Sequence, residues 1–369
     1  MTDCLRTNPP TALYFWKNLS EKVFRQRVPV SGSLELTRRC PLRCLHCYAA
    51  EPGRSATPSA GELPTRRWLE LIDEIRQAGC LYLLLTGGEP LVHPDFDAIY
   101  RQARSAGLIV TVFSSGCHLP VDHLDLLTEF PPLAVEITLY GATAATHERI
   151  TGVAGSHDRT LRNVRRLMDR QLRVKLKTIL MTENAHELTA LEQLAADLHV
   201  PFRFDAALFP RFNGDRSPVQ LRVPPAEAVA RELASPERRE RWLDFRKRMQ
   251  AVPRTSRLYP CGAGMTTFHV TATGRLQPCL LMDALTADLR TVSFFDGWTG
   301  TLADIRTRTL RPDSPCTDCE AWFLCGYCPA FFTLETGDEH QPSEFLCAVG
   351  HHRRESLETY CEGYGCDEE

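Results

Sequence analysis

Three cysteines, Cys40, Cys44 and Cys47, are spaced C-x3-C-x2-C in the string TRRCPLRCLHCYAA, directly after the apolar run GSLEL. Three thiolates at this spacing can ligate three irons of a [4Fe–4S] cube and leave the fourth iron open to chelate a small molecule and pass it one electron, whereas a purely structural cluster uses four cysteines. The plainer alternatives are half of a zinc site or reduced, buried cysteines. Zinc usually pairs two C-x2-C knuckles around one tetrahedral ion, and a lone triplet after a strand does not fit that plan.

A second cysteine field lies far along the chain. Cys261 is followed by Gly274 and Cys279, then by Cys316-x2-Cys319-x5-Cys325-x2-Cys328 and Cys347. No cysteine lies between Cys117 and Cys261. Fifteen cysteines gathered this unevenly suit discrete metal centres better than a disulfide scaffold, which is short and cysteine-dense throughout. Two zinc ribbons are the alternative here. Cys4, Cys80 and Cys117 read as ordinary thiols, since unligated cysteine is commonly buried.

These residues need elements to position them. From 33 to 205 the chain alternates strand and helix patterns: strands at 33–37, 81–86, 108–114, 133–141, 173–181 and 201–207, and helices at 62–79, 95–107, 122–130, 156–171 and 184–199. Gly79 is placed to end the first helix and Ser156 to cap the fourth. Alternation with short connections implies a parallel sheet. Six such units are too few for a closed eight-stranded barrel. In parallel barrels chemistry gathers at the C-terminal ends of strands. Cys40–Cys47, Gly87–Pro90 and Ser114–Gly116 all follow strand ends. Lys175 and Lys177 alternate on the fifth strand and share one face, where an inward lysine is costly unless paired.

With 43 basic and 46 acidic residues the net charge is −3, which does not suggest nucleic-acid binding. No run approaches the roughly 18 apolar residues of a membrane span. The N-terminus lacks the order of a secretory signal, so a cytoplasmic protein is expected.

The first triplet, followed by Thr86-Gly87-Gly88-Glu89-Pro90 at the second strand end, resembles the radical S-adenosylmethionine (SAM) superfamily. The second field resembles a SPASM domain, although the family often has three residues where CGYC has two. The resemblance implies an α/β fold: a partial (β/α)6 TIM-like barrel with a C-terminal cysteine-rich SPASM auxiliary-cluster domain. The expected division is an extension at 1–32, the barrel at 33–207, a helical connector at 208–257, the SPASM domain at 258–350 and a tail at 351–369.

The resemblance also implies roles. Cys40, Cys44 and Cys47 would hold a [4Fe–4S] cluster whose open iron binds SAM and cleaves it to methionine and a 5′-deoxyadenosyl radical. Gly87, Gly88, Glu89 and Pro90 would hold the SAM amino group, so Gly88→Val is expected to spare the clusters and weaken SAM binding. His46 would pack near the adenine, Ser114, Ser115 and Thr138 would serve the ribose, and Arg149 the SAM carboxylate. One of Lys175 and Lys177 is expected to meet a SAM or substrate carboxylate. Two auxiliary [4Fe–4S] clusters would use Cys261, Cys279 and Cys328 for one and Cys316, Cys319, Cys325 and Cys347 for the other. A non-cysteine ligand, an open iron, Cys361 or Cys366 would complete the first.

Members with this architecture mainly modify ribosomally made peptides or protein side chains. The resemblance therefore implies a precursor peptide substrate and an electron donor such as flavodoxin or ferredoxin. With only 32 residues before the first strand, a separate leader-peptide recognition protein is expected. Small-molecule SPASM enzymes (alcohol dehydrogenase or tetrapyrrole side-chain types) and sulfatase-maturase-like enzymes share these motifs. A non-enzymatic iron–sulfur carrier would have no use for Gly87–Pro90.

Overall fold

The computed structural model describes residues 12–48 and 61–364. Nine strands form one sheet: β1 Ser31–Glu35, β2 Tyr82–Thr86, β3 Ile109–Ser114, β4 Ala134–Thr138, β5 Val174–Ile179, β6 Phe202–Asp205, β7 Thr267–Val270, β8 Arg275–Gln277 and β9 Ala287–Asp288. Their order is β6-β5-β4-β3-β2-β1-β7-β8-β9. The pairs from β6 to β7 are parallel and the last two are antiparallel. The six expected strands are present, each within a few residues of its expected bounds.

The helices form because their apolar positions recur at helical spacing. In Thr65–Gln77 the residues Trp68, Leu71, Ile72 and Ile75 are fully buried, and each such side chain contributes about 1.5–3 kcal/mol by leaving water. They pack on the outward residues of the strands, Leu34, Leu83, Leu85, Val110 and Val112 among them, in one continuous core. That leaves the alternate strand residues facing the concave side. Gly79 adopts φ +99 just past the helix and its N–H donates to Arg76 O, as an αL terminator does. Gly155, not Ser156, occupies the cap position of Ser156–Asp169; the Ser156 hydroxyl instead meets Thr151 Oγ1 at 2.8 Å.

Helices that were not legible as such include Ala12–Gln26, in the expected N-terminal extension, Ala144–Thr151, inside the ITLYGATAATHERITG segment, and Phe294–Thr299, Pro329–Thr336 and Glu344–Tyr364 in and beyond the second cysteine field. The connector is helical as expected, with Pro225–Leu233 and Pro236–Gln250. Two expected boundaries do not coincide with structural breaks. The β7-β8-β9 hairpins of the second cysteine field extend the barrel's own sheet across β1. The final helix runs unbroken from Glu344 to Tyr364, through the expected boundary at 350, and buries Leu357 and Cys361.

The concave face carries charge. Glu136 on β4 is met by Arg203 at 2.8 Å, Lys175 at 3.6 Å and Lys177 at 3.9 Å. Burial pushes the Glu136 carboxyl up, but Arg203 and the two lysines outweigh it and hold it below its ordinary value. Lys177 also lies over the Phe113 ring. The inward lysines thus meet the chain's own Glu136 and not the SAM or substrate carboxylate expected for one of them. Burial, partly opposed by Glu136, lowers the Lys177 amine from its ordinary 10.5 to about 7. Between those values the folded amine is neutral while the unfolded one keeps its proton, so stability rises with pH across that window. Lys177→Met should therefore raise Tm below about pH 7, with the advantage fading toward pH 10, as read by thermal denaturation at both ends.

Candidate radical SAM site

The loop bearing Cys40, Cys44 and Cys47 leaves β1 and is fixed on three sides. Glu62 accepts from Thr37 Oγ1 at 2.8 Å and Arg38 N at 2.9 Å, and Arg39 approaches the same carboxylate at 3.6 Å. Arg43 N and Leu45 N donate to Thr151 O and Ile150 O, the C-terminal carbonyls of Ala144–Thr151. The third support is the β2 turn: Gly88 N donates to Thr37 O at 2.7 Å and Glu89 N to Arg39 O at 2.8 Å.

That third support revises the expected role of Gly87 and Gly88. A Cβ on Gly87, which has φ +146, would lie 2.5 Å from Thr37 O. One on Gly88 would lie 2.4 Å from Arg39 O and 2.6 Å from Arg38 O. The glycines are required by the cysteine loop's own backbone, and two of the turn's N–H groups are spent on it. The expectation that Gly88→Val spares the cluster does not survive this geometry.

Glu89 is fully buried and reaches across to the end of β3. Its carboxylate accepts from Ser114 Oγ at 3.0 Å, Ser115 N at 2.8 Å and Ser115 Oγ at 2.5 Å, and from Leu91 N at 3.3 Å. Burial raises its pKa, partly offset by these donors. The hydroxyl protons expected on the ribose are thus directed at Glu89, so Ser114 and Ser115 tie two strand ends together. Pro90 opens the short 3-10 turn that follows. Thr138 ends β4, opposite Lys177 of β5. Arg149 does not reach a free carboxylate site: its Nε donates to Glu183 Oε2 and its Nη2 to Glu183 O, both at 2.8 Å, with the side chain half exposed.

His46 is buried and its ring stands edge-on to Tyr140, centroids 4.8 Å apart, rather than in open space. Burial, then Arg211, lowers its pKa to about 4, so the ring is neutral. Tyr140 itself was missed in the sequence, although it follows β4 at the sheet's chemical end. It is partly buried, hydrogen-bonds the Cys44 side chain and packs against His147 as well. Glu62 gave no signal beyond its position before a helix.

The described cysteines form no disulfide. In each of three thiol groups, one cysteine has its pKa raised by burial and by its neighbours. Cys44 is pushed up by burial and then by Cys47 and Cys40. Cys279 is pushed up to about 12 by burial, with Cys328 and Cys261 adding to it. Cys325 is pushed up to about 12 by burial, then by Cys347, Cys319 and Cys316. Crowded thiols of this kind become thiolates when a cationic centre binds them. Among the described residues no three His, Cys, Asp or Glu side chains close on a point that could hold a single metal ion. Tyr327 lies between the two C-terminal sets, acted on by Cys316 and Cys325 and by Cys328 and Cys261. Arg246 Nη2 donates to Cys361 Sγ at 3.6 Å. Cys4 and Cys366 lie outside the described residues. Cys80 and Cys117 are buried, with a backbone carbonyl and Arg159 respectively as partners.

A family model for the radical SAM superfamily matches residues 34–195. Residues 34–195 form a radical SAM domain. The match covers the cysteine triplet and the Gly87–Pro90 turn, and a domain of this family implies a [4Fe–4S] cluster and SAM. An AdoMet-dependent heme synthase from Methanosarcina barkeri is 27% identical over 335 residues, covering 84% of this chain and 94% of that protein. A PqqA peptide cyclase from Methylorubrum extorquens is 32% identical over 170 residues, 46% of this chain and 44% of its own length. This chain therefore matches less than half of the cyclase. Streptococcus suis SuiB, solved with its precursor peptide SuiA, shares the fold with a TM-score of 0.67 at 13% identity, over 94% of this chain and 84% of that one. The radical SAM domain carries no helix long and apolar enough to cross a membrane, nor do the other described residues.

Proposed function

We propose that this enzyme abstracts a hydrogen atom from a residue of a ribosomally synthesised peptide and yields an oxidative product such as a thioether or carbon–carbon crosslink. The observation that carries this reading is the pair of separate C-terminal thiol sets beside a radical SAM barrel. Cys40, Cys44 and Cys47 would hold the SAM-binding cluster; Cys261, Cys279 and Cys328 one auxiliary cluster; Cys316, Cys319, Cys325 and Cys347 the other. When bound, these clusters supply the electron that splits SAM and an acceptor for the electron lost on crosslinking. The chain's own residues position and exclude: Glu62, the Gly87–Glu89 turn and the end of Ala144–Thr151 fix the cysteine loop, and Glu89 locks the floor beneath it. Gly87–Pro90 and Thr138 stand where SAM would lie, with Ser114 and Ser115 behind them. Arg149 would meet the SAM carboxylate only by leaving or sharing Glu183.

The likeness to PqqA peptide cyclase supports a peptide substrate. A flavodoxin or ferredoxin would donate electrons, a separate protein would present the leader peptide, and a cytoplasmic setting suits so many thiols. The heme synthase match over nearly that relative's whole length favours a second reading, modification of a tetrapyrrole side chain.

Anaerobic reconstitution should give about twelve irons per chain if all three sets load. With SAM, a reductant and a peptide encoded beside this gene, 5′-deoxyadenosine should form and the peptide should lose two hydrogens by mass spectrometry. Stoichiometric zinc without iron would end the reading. An unmodified peptide together with a converted porphyrin would move it to the tetrapyrrole alternative.

A further inference from the structure

A cavity of about 260 Å³ lies between the cysteine loop and the second cysteine field, with Glu35, Arg38, His269 and Gln277 in its walls. Its deepest polar groups are a cross-strand pair: His269 on β7 stands directly opposite Gln277 on β8. They are 2% and 4% exposed. His269 Nδ1 lies 2.8 Å from Ser33 Oγ, while Nε2 has no partner. The Gln277 amide has no side-chain partner among the described residues. Buried polar groups are normally satisfied, and the orphaned His269 Nε2, beside an amide that lines the same wall, calls for a ligand.

We propose that the His269–Gln277 wall is a subsite for a peptide bond of the substrate, a reading that rests on the peptide-modifying function above. A primary amide offers both a donor and an acceptor, the complement of a peptide group's C=O and N–H. The imidazole supplies one further neutral donor or acceptor; burial lowers its pKa to about 4. A carboxylate would want a cation at this depth, and there is none in the pair. Around the mouth Glu35 and Asp283 oppose Arg38 and Arg275, so the charges cancel. Glu35 also accepts from Ala272 N at 3.1 Å. The position suits the chemistry: β1 leads into Cys40, and Gln277 is followed closely by Cys279, so a peptide bond seated here lies between the two cysteine fields.

The test uses the reconstituted holoenzyme with SAM, and equilibrium dialysis of N-acetylglycine N-methylamide, a probe with two peptide groups and no side chain, against propionate. Wild type should take up the diamide in preference to propionate. Gln277→Leu should weaken diamide uptake at least about tenfold by leaving a peptide group unpaired. His269→Phe, on a different strand, should weaken it as well, and iron content confirms that each variant is loaded. Unchanged diamide binding in both loaded variants, or propionate bound in place of the diamide, overturns the subsite. Peptide turnover by Gln277→Leu with unchanged KM overturns it too, and leaves the peptide-modifying reading standing; that reading fails only if wild type modifies no peptide.

Discussion

Gly88→Val should yield protein that has lost the iron of the SAM site while keeping the iron of the C-terminal sets. The reason is steric and specific. The added Cβ meets two backbone carbonyls, Arg39 O at 2.4 Å and Arg38 O at 2.6 Å, and backbone cannot rotate aside as a flexible side chain can. Relief requires the loop that starts at Thr37 to move away from β2, which breaks the bonds from Gly88 N and Glu89 N. Cys40 is one residue beyond the displaced carbonyl. Iron analysis and EPR of the reduced protein would read the loss of about four irons, and SAM cleavage should fall to background. Full iron with weakened SAM binding would instead mean that the loop yields and that the turn serves the ligand alone. Far-UV CD guards against general unfolding.

Replacing Cys316 and Cys319 with serine should separate the two halves of the chemistry. These thiols lie far from the Cys40–Cys47 loop in the chain and act on Cys325 and Cys347, not on Cys44. The variant should therefore keep reductive SAM cleavage in the absence of substrate. Crosslinked product should be lost, since a substrate radical must shed an electron to close a bond and the acceptor held by these thiols would be gone. The iron deficit should again be about four. Product formed at the wild-type rate by a loaded variant lacking this set would show that the domain serves substrate binding instead.

Much of the barrel was legible because its strands are short runs with apolar residues at least at alternate positions, as YLLLT and VKLKTI show, and its helices repeat every three to four residues, as Trp68, Leu71, Ile72 and Ile75 show. The separation of the seven C-terminal cysteines into sets of three and four was reached by resemblance alone. What escaped was tertiary. Nothing about Gly88 in the sequence says that its neighbour is a carbonyl nearly fifty residues earlier. Ser114 and Ser115 look like ligand hydroxyls until Glu89 is found beneath them, and Arg149 looks available until Glu183 is found beside it. Tyr140 carries no motif; only the fold sets it against Cys44. The helix Ala144–Thr151 has a weak apolar period, being stabilised by the Thr143 cap and its fit against the cysteine loop.

The pairing of β1 with β7 has a consequence for how the chain comes into being. Ser31 bonds alongside Thr267, more than two hundred residues later. During synthesis β1 can join β2 early, but its other edge stays bare until the ribosome has delivered β7. Unpaired edges of this kind invite misassociation, and contacts so distant in sequence form slowly. A fragment ended in the connector would keep that bare edge permanently, so aggregation should accompany any attempt to express the barrel without its cysteine-rich partner.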